Sequence, residues 1–496
     1  MPPKLRQLRM PKDDLAWDKN DEEVETWERS LNKAHMYHAI ADLIRRYKPG
    51  EVVELHEPIR GGYNVFYRLE YKDGSSTAMR IPCKGIVRFP EEKIRYEAAT
   101  MRYISTNTSI PLPTIYHCGT AAENTAGLGP FMIMDYVEHE RTMSDALKDP
   151  ALEPDDDHVL DPNIRQPRLE FLYGQMADIL LQLSVLRFSR IGSLVQDGDG
   201  SFSVSGRPLI QNMNSLVEFT GIAPTVLPSQ EYVTADEWYS ALADMHFAQL
   251  VFQRNDTVLD EDDARDKYVA RQLFRRLASE GKLSSAFEPG DASDGKSSFR
   301  LFSEDLRPSN VLVDKNDRVV GVIDWEFAYA APPQFSSDPP WWLLLKSPDI
   351  WPGGYTPWMD ACRPRLETFL HVLEDVEKKL RTPEDARCMA THSRLSDQTV
   401  PLSQQMRDNW EKQDWMINYA ARNSWAFDFI YWRYLDERFF GPNEKKGHAA
   451  RLDLLSQQEL ETMERLVELK MEQQKECTLE TLDHDSATIQ LAKYMI

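Results

Sequence analysis

Between residues 23 and 48, Trp27, Leu31, His35, Tyr37, Ile40, Leu43 and Ile44 recur at three- and four-residue steps. That spacing predicts one amphipathic helix, closed by Pro49-Gly50. At residue 51 the period changes. Three β-rich runs fill 51–82, broken at Arg60-Gly61-Gly62 and at Lys72-Asp73-Gly74-Ser75. Val65, Tyr67 and Leu69 alternate with Phe66, Arg68 and Glu70, the two-residue period of a half-buried strand. The Asp-Gly pair between two such runs predicts a hairpin. Residues 91–106 return to helical spacing, and the apolar run Phe131–Glu138 reads as a buried strand. The start of the chain therefore predicts a loose arm over 1–22, one helix, and an antiparallel sheet with a further helix packed on it.

Downstream, 168–190, 234–256 and 262–281 have helical periodicity and few glycines or prolines. Residues 196–233 read as a hairpin or long loop, and 288–298 as a polar linker. Short strands and turns alternate over 299–328, and from 362 onward the chain is mostly helical. Leu460, Met463, Val467 and Met471 form a stripe that predicts core packing rather than a partner-binding face. The acidic runs at 155–158 and 260–263 read as solvated loops and helix starts. Trp410, Trp415, Trp425 and Trp432 read as the core of a helical subdomain, and His117 and His246 as ordinary strand and helix residues. Trp341 and Trp342 follow a Pro-Pro pair and cannot both face one side of a core, so one is a candidate to line a cleft.

Composition narrows the functional classes. The 496 residues suffice for two to four domains, and 42% hydrophobic content excludes global disorder. Lys and Arg number 58 against 80 Asp and Glu, a formal charge of −22. Such a chain is a poor tracker of nucleic-acid phosphates and is repelled by anionic membranes. Five distant cysteines with no CxxC pair exclude a disulfide scaffold or a cysteine zinc site and suit a reducing compartment. No apolar run is long enough for a membrane helix. The first residues lack an apolar signal region, and Asp13, Asp14 and Asp18 argue against a transit peptide. A soluble cytoplasmic protein is expected.

The chemistry concentrates between 303 and 326. Asp305 and Asn310 stand five residues apart in a Pro-containing loop that runs into the strand Val311-Leu312-Val313. After the turn pair Asn316-Asp317, a second strand, Val319–Ile323, delivers Asp324 at its end, followed by Trp325-Glu326. Two carboxylates and a carboxamide thus reach the mouths of adjacent hairpin strands. Converging oxygen ligands suit a hard ion such as Mg²⁺, and an Asp in the same loop can hold an attacking hydroxyl. A D-x4-N pair alone is also what two turn-forming residues would give.

This segment resembles the catalytic and metal-binding segments of the aminoglycoside phosphotransferase and choline kinase-like family, small-molecule kinases with a protein kinase-like fold. Upstream pieces occur in the order of that family. Gly61-Gly62-Tyr63-Asn64-Val65 resembles its phosphate-covering loop, and Ala78-Met79-Arg80-Ile81 the strand with the phosphate-pairing cation. Glu97 resembles that cation's acidic partner, and Met132–Val137, with Met134 and Tyr136, the hinge that holds adenine. The likeness covers roughly 50–370 and is nearest a divergent fungal-type branch with Asp338-Pro339-Pro340-Trp341-Trp342 after the metal Asp.

The resemblance implies an α+β, two-lobed kinase-like fold: an arm and helix over 1–49, a small nucleotide-binding lobe over 50–137 and a large helical lobe over 138–496. It implies ATP and Mg²⁺ as cofactors. Asp305 would be the catalytic residue, Asn310 and Asp324 the metal ligands, and Gly61, Gly62, Asn64, Arg80, Glu97, Met134 and Tyr136 the nucleotide-binding set. The acceptor would be a small molecule, cationic or neutral given the chain's charge. Three positions depart from the family pattern. Ser303 stands for the usual His, Arg307 for a second His, and Arg80 for Lys. Arg307 could bind a phosphate oxygen or pair with Glu304. Arg80 and Ser303 favour an alternative, a pseudokinase that binds a nucleotide or metabolite. Intact Asp305, Asn310 and Asp324 favour the enzyme, since unpaired buried carboxylates are costly. The acceptor's identity and the oligomeric state are not legible.

Overall fold

The computed structural model describes residues 5–153, 156–285, 298–380 and 400–496. Near its start, helix α1 spans Asp14–Leu31 and α2 spans Ala34–Tyr47. Neither a loose arm over the described residues 5–22 nor the single helix over 23–48 survives. Asp13 is buried, and its carboxylate accepts from the backbone N–H of Leu15 and Ala16 at 3.1 and 3.2 Å, which starts α1. The arm before it is tied down by Arg6, whose guanidinium pairs with buried Asp266 at 2.6 Å and donates to the Lys446 carbonyl at 2.8 Å. Extended Lys33 (φ −130°, ψ 134°) breaks the long helix in two.

The chain divides into two compact units. One comprises Glu23–Ile210 and Gly290–Asp408, the other Met1–Glu22, Gln211–Pro289 and Asn409–Ile496.

In the first unit, β1 (Val52–Leu55), β2 (Ile59–Arg60), β3 (Asn64–Tyr71), β4 (Ser76–Pro82), β5 (Ile115–Gly119) and β6 (Phe131–Asp135) build one antiparallel sheet. Its order is β1-β3-β4-β6-β5, with β2 beside β3. The Asp73-Gly74 hairpin closes β3 onto β4, with Gly74 at φ +84° and the Tyr71 N–H on the Ser75 carbonyl at 2.9 Å. The period-two reading of β3 holds, since Val65, Tyr67 and Leu69 are all buried. They join Met79, Ile81, Phe131 and Ile133 in one core with Trp27, Leu31, Ile40, Leu43 and Ile44 of the two preceding helices. Burial of that apolar area is the main local stabilisation. Side chains alternate across a strand. With Met79 and Ile81 committed to this core, Arg80 points to the other face of the sheet, where it meets Glu97 of α3 (Pro90–Asn107).

The same unit holds the helices Gln166–Ser184 and Tyr355–Leu380 and two three-stranded antiparallel sheets. One runs Ala328–Ala331, Phe299–Ser303, Arg187–Phe188; the other Val319–Val322, Val311–Val313, Arg141–Thr142. The helix expected over 168–190 therefore stops at Ser184, and its end becomes a strand. The hairpin expected after 196 pairs Ser193–Gln196 with Phe202–Gly206. Trp342 is buried against Tyr173 and Phe369 while Trp341 is half-buried, so the pair does split between environments.

The second unit is helical. Gln211–Thr220 is a helix where a hairpin or long loop was expected, burying Met213, Leu216 and Phe219 at three-residue steps. Ala235–Phe252, Glu261–Ser279, Trp415–Arg422 and Gln457–Glu476 follow. The acidic run at 260–263 does start a helix, its Asp260 carboxylate accepting from the Asp263 N–H at 2.8 Å. Trp410, Trp415, Trp425 and Trp432 are core. So are Met463 and Val467 of the C-terminal stripe, whereas Leu460 and Met471 are half-buried. Most of the linker expected at 288–298, and Asp155 of the acidic run, lie outside the described residues.

His246 lies wholly inside this unit, its Nδ1 2.7 Å from Ser424 Oγ and its ring stacked on Phe427 at 4.4 Å. Burial, with the nearby Arg271 charge adding to it, pushes His246 down to about 3. Below its ordinary value of about 6.5 the unfolded chain takes a proton that the native state refuses. Stability is therefore lost as the pH falls from that value toward 3. Between pH 7.5 and 5.0 the wild type should lose about 2 kcal/mol through this residue. Urea unfolding at both pH values should show a shallower loss for His246→Asn; equal losses would refute this account.

Candidate active site

The site begins with a hairpin. The strand Phe299–Ser303 ends in the loop of Asp305, the 3-10 turn Pro308–Asn310 reverses the chain, and Val311–Val313 pairs with Val319–Val322. The Ile323 N–H donates to the Asn310 carbonyl at 2.9 Å, so Asn310 and Asp324 sit at one end of the ladder. There Asp324 and Phe327 both adopt left-handed backbone, each at φ +59°. Non-glycine residues pay for that conformation, and it persists where surrounding contacts enforce it. One enforcing contact is Trp325, buried, with its indole N–H on the Val322 carbonyl at 3.2 Å.

This tight turn sends two carboxylates to one guanidinium. Arg80 Nη2 lies 2.6 Å from Asp324 Oδ1 and 2.8 Å from Glu326 Oε2, while its Nη1 pairs with Glu97. A second cation, Lys93 of α3, pairs with Glu326 and donates to Asn64 Oδ1 at 2.7 Å. The Asn64 carboxamide N–H in turn donates to Glu326 at 2.9 Å. Arg80, Lys93, Glu97 and Glu326 are all buried, whereas the Asp324 side chain keeps 32% of its surface open. Burial works against the Arg80 charge, but Asp324, Glu97 and Glu326 together outweigh it and hold the guanidinium above its ordinary range. Burial likewise opposes the Glu326 charge, and Lys93 and Arg80 overcome it, leaving that carboxyl below its usual range. For Glu97 burial prevails over the same two cations, and its carboxyl is raised.

Asp305 stands beside this cluster in a different setting. Asn310 Nδ2 donates to its backbone carbonyl at 2.8 Å and to its Oδ2 at 2.9 Å, and Arg307 Nε lies 3.0 Å from its Oδ1. Arg307 thus pairs with Asp305, where the sequence offered a phosphate oxygen or Glu304 as its partner. Burial, opposed by Arg307 and reinforced by the charges of Asp324 and Glu326, pushes Asp305 up to about 6.

Of the residues singled out in the sequence, Asn64, Arg80, Glu97 and Asp324 converge in one polar cluster, with Asp305 and Asn310 at its flank. Gly61 and Gly62 form the exposed bend between β2 and β3, where the Gly61 N–H donates to the Asn64 carbonyl at 2.8 Å. Neither glycine has a positive φ, and a side chain at Gly62 would meet nothing within 4 Å. Met134 and Tyr136 lie apart from the cluster. Met134 is buried in β6 opposite Ala78. Tyr136 is half-buried beside the Arg68 guanidinium, 4.1 Å from its ring, with its N–H on the Ser76 carbonyl at 3.1 Å. Sequence reasoning missed Lys93 and Glu326. The signal for Lys93 was its place one helical turn before Glu97; for Glu326, its place two residues after Asp324 across a core Trp.

The sequence profile of the phosphotransferase enzyme family (APH) matches residues 56–335, more than half of the chain and the whole of this cluster. The chain belongs to the APH phosphotransferase family. Comparison with curated proteins found no match. Among solved structures, this APH-family chain is similar to a protein assigned as an aminoglycoside phosphotransferase from Ralstonia eutropha, with 13% identity over 88% of this chain and 98% of that one, at TM-score 0.41. It is similar to a macrolide 2'-phosphotransferase apoenzyme from Brachybacterium faecium, with 13% identity over 78% and 97% of the two chains, at TM-score 0.31. For an ethanolamine kinase from Plasmodium vivax the identity is 12% over 76% and 80%, at TM-score 0.34. Among the described residues of the APH-family chain, no helix is long and apolar enough to cross a membrane.

Arg80 bridges its partners with both arms of a fork, which a single ammonium cannot do. Arg80→Met leaves the buried Glu97 carboxylate without its ion pair and should cost about 3–5 kcal/mol in urea unfolding. Arg80→Lys keeps the charge but loses at least one charged hydrogen bond, about 1.5–3 kcal/mol. A lysine variant as stable as wild type would show that the fork is not needed.

Proposed function

We propose that this small-molecule phosphotransferase transfers the terminal phosphoryl group of ATP, in the presence of Mg²⁺, to a hydroxyl of a small cationic or neutral acceptor. One observation carries the reading. The hairpin brings a partly open carboxylate and a loop carboxylate with its carboxamide neighbour to a buried cation of the sheet, in the chain order that phosphoryl transfer uses. In this reading 50–137 is the nucleotide lobe and 138–496 the larger lobe, and the protein works in the cytoplasm.

The donor set fits a hard divalent ion. Asp324 Oδ1 is held by Arg80, which leaves its second oxygen for a cation on the partly open side. Both Asn310 Nδ2 contacts are to Asp305, which leaves the side-chain Oδ1 of Asn310 as a ligand. Bound Mg²⁺ would neutralise phosphate charge as the phosphoryl group moves. Arg80, anchored by Glu97, would pair with phosphate oxygens. Gly61 and Gly62 let backbone N–H groups approach the phosphates without a side chain between. Met134 and Tyr136 would flank the base. Asp305 would orient the acceptor hydroxyl and take its proton, and a carboxyl raised to about 6 is a better base than an ordinary Asp. The −22 balance of the chain favours approach of a cationic or neutral acceptor over an anionic one.

Mg²⁺ should tighten nucleotide binding by the wild type, and Asp324→Ala should abolish that dependence in calorimetry. Identical Mg-ATP binding in the variant would overturn the metal assignment. With an acceptor found by screening a metabolite library for ADP release, Asp305→Asn should lower turnover on the order of 10²–10⁴-fold. Its nucleotide affinity should stay close to wild type, and full activity in that variant would show that the loop is misassigned.

A further inference from the structure

Lys93 carries more than its own ion pair. It is buried on α3, 13 positions after Arg80 in the chain, and it closes a triangle with Asn64 and Glu326. Each corner belongs to a different part of the site. Asn64 ends the Gly61-Gly62 bend and opens β3, Lys93 lies one turn before Glu97 on the helix, and Glu326 follows Asp324 in the left-handed turn. Arg80 touches the same Glu326 oxygen and also Asp324. Two cations therefore serve three carboxylates, and one of those carboxylates, Glu326, is shared between them.

We propose that Lys93 is a positioning residue that keeps Glu326 from monopolising Arg80 and fastens the glycine bend to the Asp324 turn. The proposal rests on the phosphotransferase reading above and deepens it. A guanidinium neutralised from several sides has little attraction left for a phosphate. With Lys93 sharing Glu326, Arg80 has to loosen only from Asp324 and from a carboxylate whose charge a second cation already offsets to accept a phosphate oxygen. Without Lys93, Glu326 has Arg80 as its sole cationic partner here and competes with phosphate directly. The same ammonium restrains the bend, because Asn64 Oδ1 accepts from it while Asn64 Nδ2 donates to Glu326. Movement at either end of the triangle is felt at the other.

Two measurements test this. The first is Mg-ATP binding by calorimetry. Lys93→Met should weaken it at least about tenfold, the worth of one charge-assisted contact. Lys93→Met/Glu326→Gln should recover most of that loss, because the competing charge is gone. A role confined to packing would give no recovery, and absence of recovery overturns the competition argument. The second uses the ligand-free protein and does not depend on nucleotide. Amide hydrogen exchange should rise in Lys93→Met at both 61–65 and 324–327. In Asn64→Ala, which buries no new charge and so keeps the test available should Lys93→Met fail to fold, it should rise at 61–65. Exchange unchanged in both variants overturns the fastening. If the wild type binds no Mg-ATP while the exchange pattern appears, the phosphotransferase reading fails and the fastening stands. Nucleotide binding with neither recovery nor altered exchange leaves that reading intact and removes the role of Lys93.

Discussion

A buried guanidinium is the constraint from which the site follows. Taking Arg80 out of water is expensive, and the folded chain offsets that cost only by bringing three carboxylates to it from two separate segments. Glu97 arrives on α3, Asp324 and Glu326 on the turn after Val319–Val322, and each must be placed within hydrogen-bond reach before the charge is satisfied. The sheet, the helix on its face and the hairpin are thus locked to one another by electrostatics as well as by apolar packing. The apolar core on the opposite face makes this possible. Met79 and Ile81 fix the strand, and the alternation of the pleat then leaves Arg80 nowhere else to point.

The turn at Asp324 shows how local strain serves the same end. Two left-handed residues bracketing Trp325-Glu326 would be unfavourable in isolation. Here the bend lets a core-facing Trp separate two carboxylates that both face the cation. The bend keeps Glu326 buried with Lys93 and leaves Asp324 partly open. That asymmetry gives two acidic residues, two positions apart, different environments.

Much of this was legible in the sequence, and the reasons for the rest are physical. The alternation of Val65, Tyr67 and Leu69, the Asp-Gly turn and the order of Asp305, Asn310 and Asp324 are local patterns, and local patterns survive translation into structure. The Arg80–Glu97 pair was legible because family order places the two residues together. Lys93 and Glu326 were not, since each looks like a surface residue until a distant segment covers it. The helix Gln211–Thr220 was hidden by the glycines and prolines around it, although Met213, Leu216 and Phe219 carry its period. The arm was misread because its order comes from Arg6 reaching Asp266, a contact across 260 positions. No window-based reading of hydropathy can register such a contact.

The departures from the family pattern take on a different meaning in this setting. Ser303 lies in the strand pair with Ala328, and its hydroxyl has no hydrogen-bond partner among the described residues, so the backbone at this position carries the structure and the side chain is incidental. Arg307 holds one oxygen of Asp305 while Asn310 holds the other, which fixes the carboxylate plane without a histidine. Arg80 is the most informative of the three. A lysine at its place would offer one nitrogen to partners that approach from two directions. The fork is the group that this arrangement of Glu97, Asp324 and Glu326 requires, and Lys93 supplies the compact charge that a fork does not. Arginine at the lysine position thus stands with a second buried cation and a second turn carboxylate, and Glu326 ties the two cations into one network.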